Sequence, residues 1–334
     1  MLFVITLSAT RLILEVCINS SISVGRSYLN VKALNIHDCI FERIEEWNGD
    51  GGVVCCNEVN CSLIISMSSF VTCKAKGNGG AVFFYAQTSE EIRLDKICAT
   101  KCHISGSVKY GQFCYVQSAQ YEVIERNYRF LSISYCSNLT SMTTSYPLYL
   151  NKGRNKLISS NSSNNRAMDG SGFLFQVNTA FNCQYCTFVN DYSTNSICLY
   201  CIGGENDHNI NYVNLICNYS PGSGVISAID NVLIISHCVF VNNSGRLLYC
   251  KGGKLYIDDT IIGHQGSMTT TSSKGSISIG QNCSMTHYST YNQMHYQNAI
   301  CKADNPYYEI EVTFTITRYQ KATFSPVLFW ILSL

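Results

Sequence analysis

Two constellations in this chain have residue types that could do chemistry. The first is Cys183-x-x-Cys186 followed by Cys198-x-x-Cys201. Paired CxxC knuckles build tetrahedral zinc sites when a turn lets each pair close on the metal. The second is Asp258-Asp259 with Gly263-His264-Gln265-Gly266 close behind. Inverting glycoside hydrolysis needs two carboxylates flanking a sugar, far enough apart to admit a water.

Both have to be judged against the elements that would hold them, and those elements repeat. A small residue leading into an apolar strand begins near Gly52, Gly80, Gly111, Tyr146, Gly172, Ser196, Gly224, Gly245 and Gly275. The interval is about 20 to 35 residues, the range of stacked repeats. Between these lies a second element in tighter register. Leu34-Asn35-Ile36-His37-Asp38-Cys39-Ile40-Phe41 aligns with Leu63 to Phe70, Phe181 to Phe188 and Leu233 to Phe240, with looser copies at Leu131 to Cys136 and Leu255 to Ile262. Its first and third positions are mostly apolar, the period-two mark of a half-buried strand. Its sixth position is small (Cys39, Ser68, Cys136, Cys186, Cys238, Thr260) and its eighth is Phe41, Phe70, Phe188 or Phe240.

Columns of this kind arise when each repeat is one coil of a solenoid and equivalent residues stack at about 4.8 Å. Small residues then suit a sharp corner and phenylalanines fill the interior. Asn and Asp after the Phe, as in Val189-Asn190-Asp191 and Val241-Asn242-Asn243, suit a left-handed turn or a side-chain ladder. The expected fold is all-β: a single right-handed parallel β-helix of about nine degenerate coils over residues 28–283. Val116 to Leu131 reads as strand-turn-strand, with a lateral helix along Val116, Ala119, Val123, Asn127 and Phe130 as the alternative.

The tetrad Gly79-Gly80-Ala81-Val82, its loose copy Gly51 to Val54, and Phe240-Val241-Asn242-Asn243 resemble the alternating GGA[ILV] and FxxN repeats of polymorphic outer-membrane proteins of chlamydiae and of similar protist surface proteins. Phe188 to Asp191 and Phe70 to Cys73 depart from the second motif at its last position. The resemblance covers roughly residues 28 to 280 and implies a pectin lyase-like β-helix that is secreted or surface-displayed, adhesin-like and without catalytic activity.

Within that frame the opening constellations lose force. Cys186 belongs to the small-residue column, and Cys198 and Cys201 sit inside an apolar strand, where residues three apart face opposite ways. Core thiols or scattered disulfides compete with zinc there. Asp258-Asp259 occupy the coil positions of His37-Asp38 and Ser236-His237, and His264 follows too closely for the successive-coil arrangement of pectin-degrading β-helix enzymes. A carbohydrate-active enzyme is the alternative function, and a degenerate fragment of a larger surface protein is another. No catalytic residue, cofactor or metal is expected.

Composition bounds the partners. Charged residues make up 13 %, with 23 basic and 22 acidic side chains and a net charge of +1, which argues against a nucleic-acid surface. The 22 tyrosines could form an aromatic contact surface or express strand preference alone. The 19 cysteines, together with Asn-x-Ser/Thr sequons at Asn19, Asn60, Asn138, Asn161, Asn218, Asn242 and Asn282, tilt the reading toward an extracellular glycoprotein that meets a cell-surface protein or glycan. Residues 1–27 are read as a signal peptide or N-terminal cap, although Arg11 interrupts the apolar run. Residues 284–334 are read as an irregular tail. Its apolar end, Pro326 to Leu334, is shorter than the roughly 20 residues that span a bilayer, and is a truncated anchor or a buried strand.

Overall fold

Leu34 and Ile36 are buried while Ala33, Asn35 and His37 are half-exposed, and the same alternation returns in Ser62–Ser66, Val232–Ser236 and Lys254–Asp258. In the computed structural model these strands pair in parallel and in register. Leu34 lies on Leu63, Leu63 on Ile92, and further along Leu233 lies on Leu255 and Leu255 on Ile277. The fold is a parallel β-solenoid, with no helix among the described residues. Outside the description fall residues 1–2, 9–10, 18–20, 23–32, 47, 58–60, 87–90, 107–109, 119–124, 139–145, 177–179, 197–198, 204–206, 273, 284–290 and 292–334.

Each coil turns through three faces. The first carries Ala33–His37 and its equivalents. A corner follows at Asp38, Met67, Lys96, Phe130, Ser159, Tyr185, Tyr212, His237 and Asp259, all with φ between 43 and 57°. L-residues in this left-handed region cost about 1 kcal/mol or more, so the corner needs local support. The next residue supplies it: the Ser68 hydroxyl donates to the Ser66 carbonyl at 2.7 Å, Thr260 to Asp258 at 2.8 Å, and the thiols of Cys186 and Cys238 to Gln184 and Ser236 at 3.2 and 3.1 Å. Where the column is Ser, Thr or Cys it closes the corner in this way, while Ile97, Leu131 and Val213 fill the same position by packing alone.

The second face holds the phenylalanine column, in which Phe41 stacks on Phe70 with centroids 5.0 Å apart. Phe188 and Phe240 stand in the same column, separated from the first pair and from each other by Ala99, Ile133, Ser162 and Leu215. A second left-handed corner follows at Arg43, Thr72, Lys101, Tyr135, Asn164, Asn190, Cys217 and Asn242, with φ of 53 to 56°. The third face runs from Val54–Asn57 through Val82–Tyr85 and Leu199–Ile202 to the ends of Val239–Lys251 and Ile261–Ser272.

Two expectations need correction. Cys136 is not in the first-corner column; Leu131 is, because Phe130 is the left-handed residue and Arg126 and Tyr128 lie on the inward positions. Large and charged inward residues disguised that copy, and Cys136 belongs past the second corner with Cys73 and Cys102. The strand after Gly275, Ser276–Ile279, pairs with Lys254–Asp258 and so belongs to the first face; the third face ends instead within Ile261–Ser272. The described parts of the segment from Val116 are strands, Cys114–Gln117 and Glu125–Ser134, as the strand-turn-strand reading has it; residues 119–124 lie outside the described residues.

Upstream of residue 28 the sheet continues. Phe3–Ser8 and Arg11–Cys17 form an antiparallel pair, and the latter lies parallel to Ala33–His37. By contacts, one unit spans Met1–Asp304, past the boundary expected at 283, and a second spans Asn305–Leu334, wholly outside the described residues.

Gly79 and Gly80 shape the entry to the third face. Gly79 has φ +66°, and a Cβ on Gly80 would be driven into the backbone carbonyls of Gln112 and His103 in the adjoining coil. Ala81 and Val82 then enter the core and Phe83 turns outward. Gly80→Ala is expected to lose at least about 3 kcal/mol in denaturant unfolding. Gly49→Ala, which meets only the flexible Glu46 side chain, should stay within about 0.5 kcal/mol of the parent. Equal midpoints for the two variants would refute the close-approach role.

Candidate functional site

The described members of the CxxC constellation are core residues. Cys183 stacks between Leu157 and Ile210, Cys186 sits at the first corner and Cys201 faces inward between Phe175 and Ala228; all are fully buried. Cys198 lies outside the described residues. Burial pushes the Cys201 and Cys238 thiols up to about 12, which suits inert packing groups rather than nucleophiles. No cluster of ligating side chains fit for a metal occurs among the described residues.

Asp258 and Asp259 lie on the solvent side of the first face and corner, where Asp259 faces His237 Nε2 at 3.1 Å. The backbone of His264 pairs with Asn243, just past the second corner. The first face carries a shallow hollow of about 330 Å³ whose lining includes His37, Ser66, Arg93, Asp95 and Lys96. Asp95 is the one carboxylate in that lining. It is held between Arg93 at 2.9 Å and Arg129 at 3.0 Å, an arrangement that keeps it a counter-ion.

Two sequons conflict with the packing. The Asn218 amide is fully buried and donates to the Phe188 carbonyl at 3.0 Å, and Asn161 is buried as completely. A glycan on either nitrogen has no room in this fold, so both are withdrawn as glycosylation sites. Asn242 and Asn282 are exposed. For Asn138 only the backbone is described, and Asn19 and Asn60 lie outside the described residues.

What the structure does assemble are ladders. Outside, at the first corner, Tyr185 stacks on Tyr212 at 5.2 Å and Tyr212 on His237 at 4.8 Å, with Asp259 ending the row. Tyr185 is 46 % exposed and the His237 side chain 43 %. A second exposed pair, Tyr192 and Tyr219, stacks at 4.9 Å beyond the second corner. On the third face Phe83, Tyr115 and Tyr149 stack at 5.3 and 5.0 Å, but they are nearly buried, flanked by Tyr110 and Tyr146. The sequence shows the tyrosines but not their sorting, which depends on which ones fall at a left-handed corner.

Inside, beyond the second corner, runs an amide ladder. The side-chain oxygen of Asn165 accepts from Cys136 N, that of Asp191 from Asn165 N, that of Asn218 from Asp191 N and that of Asn243 from Asn218 N, all at 2.8 to 3.0 Å. The amide nitrogens of Asn165, Asn218 and Asn243 donate to the carbonyls of Ile133, Phe188 and Leu215. In earlier coils the thiols of Cys73 and Cys102 donate to the equivalent carbonyls of Phe41 and Phe70. Asp191 is the acidic rung. Its carboxylate accepts from the Ser162 hydroxyl at 2.6 Å, and burial pushes its pKa up to about 7 against the lowering effect of Ser162 and Asn165.

Comparison with protein-family models, with curated proteins and with solved structures finds no match.

The acidic rung makes stability depend on pH. An acid whose folded pKa is raised is protonated in both states below about pH 4, and there the fold is favoured. Between about 4 and 7 only the unfolded chain ionises, so stability falls by up to about 4 kcal/mol, at about 1.4 kcal/mol per pH unit. Asp191→Asn should abolish that decline while keeping the ladder, as read by urea unfolding at pH 4.5 and pH 7.5. An unchanged slope would show that Asp191 is not the titrating group.

Proposed function

We propose that the chain is a non-catalytic β-solenoid, secreted or displayed at a cell surface, which adheres to a cell-surface protein or glycan through its corner ladders. The observation that carries this reading is the corner row Tyr185, Tyr212 and His237, open to solvent at Tyr185 and His237 with the half-buried Tyr212 ring between them. Three stacked rings on consecutive coils form a rigid, amphipathic strip with little side-chain entropy left to lose on contact. The low charge of the chain and the resemblance of its repeats to surface-protein repeats support the same reading. Glycosylation at Asn242 and Asn282 belongs to this proposal.

The test is binding of the purified full-length chain to glycan arrays and to cells, alongside a Tyr185→Ser/Tyr212→Ser variant. The expected result is binding weakened at least about tenfold, because stacked aromatic residues dominate such contacts, with far-UV circular dichroism unchanged. Undiminished binding by the variant, or no binding by the parent chain, would overturn the assignment.

A further inference from the structure

On the first face the residues that alternate with buried Leu34, Leu63 and their equivalents point outward, and their chemistry changes along the solenoid. At the hollow of about 330 Å³ they are cationic. Arg93 and Arg129 both donate to one oxygen of Asp95, at 2.9 and 3.0 Å, and Lys96 stands at the adjoining corner. Exposure separates the charges: the Arg93 and Arg129 side chains are 43 and 37 % exposed, that of Asp95 only 13 %. Three cations thus surround one shielded carboxylate, in a chain whose net charge is +1. Asp38, next to His37 of the lining, pairs with that imidazole at 2.7 Å.

Toward the C-terminal coils the same outward columns turn to amides. One runs Arg93, Asn127, Lys156, Asn182 and Asn209, and the other Arg129, Ile158, Gln184 and Asn211, each residue one rung from the next. Glu125 lies within 3.8 Å of both Arg154 and Lys156, which offsets part of the charge there. Each amide both donates and accepts, as hydroxyl groups require. Among the described residues Asp95 Oδ1 and Asn182 Oδ1 meet no partner, although buried polar atoms are almost always paired. The lane ends beside Tyr185 and Tyr212, which follow Gln184 and Asn211 at the first corner. From the Arg129 rung to the Asn211 rung is about 14 Å.

We propose that the hollow binds the carboxylate or sulfate group of an acidic glycan, whose sugar hydroxyls lie along the amide lane. The Arg93 guanidinium gives paired N–H donors to the anionic group, a charge-assisted contact, and the Lys96 ammonium is the second cation. Asp95 holds the two guanidinium groups in place and offers Oδ1 to a hydroxyl. A nucleic-acid backbone would need a longer run of cations than this hollow holds. The inference deepens the adhesion reading and rests on it for an extracellular partner.

The experiment is calorimetric titration of the purified full-length chain with a short sulfated uronic-acid oligosaccharide at fixed ionic strength. The comparison ligands are its desulfated, carboxyl-reduced counterpart, inorganic sulfate and polyglutamate. The charged oligosaccharide is expected to bind at least about tenfold tighter than each of these, and Arg93→Gln/Lys96→Gln should remove about tenfold of that affinity. Lys101→Gln, at the second corner, should change nothing, with far-UV circular dichroism alike for all chains. Equal affinity of the double variant and the parent, equal affinity for the neutral counterpart, or no binding by the parent would overturn the assignment. Inorganic sulfate or polyglutamate binding as tightly would overturn it too, in favour of a free anion or an acidic peptide. The Tyr185→Ser/Tyr212→Ser variant should keep the preference for the charged over the neutral oligosaccharide, so the hollow and the tyrosine row fail separately.

Discussion

Parallel in-register stacking at about 4.8 Å sets the terms for every residue in this protein. Each side chain meets its own equivalent above and below, so a position is acceptable only if it packs or bonds with copies of itself. Leu on Leu and Phe on Phe satisfy this by contact. Polar residues satisfy it only as ladders. The Asn165, Asn218 and Asn243 rungs each accept from a main-chain N–H and donate to a main-chain carbonyl of the coil before, while Asp191 only accepts, from Asn165 N and the Ser162 hydroxyl. A buried amide outside such a column would leave a donor or acceptor unpaired, which costs about 1–3 kcal/mol.

The same rule explains the corners. Two left-handed residues per coil are unfavourable for non-glycine side chains, yet here they include Tyr, Lys, His and Met as well as Asn and Asp. The compensation is local and cooperative. Where the residue after the first corner is Ser, Thr or Cys it donates back to the carbonyl before it, and corner side chains stack outside the coil, as Tyr185, Tyr212 and His237 do. The exposed strip proposed to bind a partner is therefore produced by the geometry that lets the chain turn.

This geometry also divides what could be read from the sequence from what could not. Leu34 to Phe41 and its closest copies were legible because alternation, a small sixth residue and a terminal Phe coincide within eight positions. Val189-Asn190-Asp191 and Val241-Asn242-Asn243 were half legible: Asn190 and Asn242 turn the chain, while Asp191 and Asn243 enter the ladder. The coil containing Arg126 and Tyr128 was misplaced because residues of that size at inward positions contradict the local pattern, and only pairing with Ile92 and Leu94 places them there. The burial of Asn161 and Asn218 was invisible, since a sequon is a local signal and burial is a property of neighbouring coils.

Cysteine content is the clearest case of composition misleading about chemistry. Nineteen cysteines suggest a disulfide-stapled framework, yet Cys39, Cys73, Cys102, Cys186 and Cys238 stand where a small, weakly polar side chain closes a corner or caps a carbonyl, and Cys56, Cys114, Cys183 and Cys201 pack in the core. Parallel side chains one rung apart leave their Cβ atoms about 4.8 Å apart, wider than the roughly 3.8 Å typical of a disulfide. Such thiols stay reduced by geometry as well as by burial, whatever the redox poise outside. The interior cysteines therefore say nothing about compartment. Information of that kind comes only from a sulfur outside the interior, and the described ones are Cys98 on the outward side of the second face, Cys55 beside the outward aromatic cluster of the third and Cys217 at the second corner.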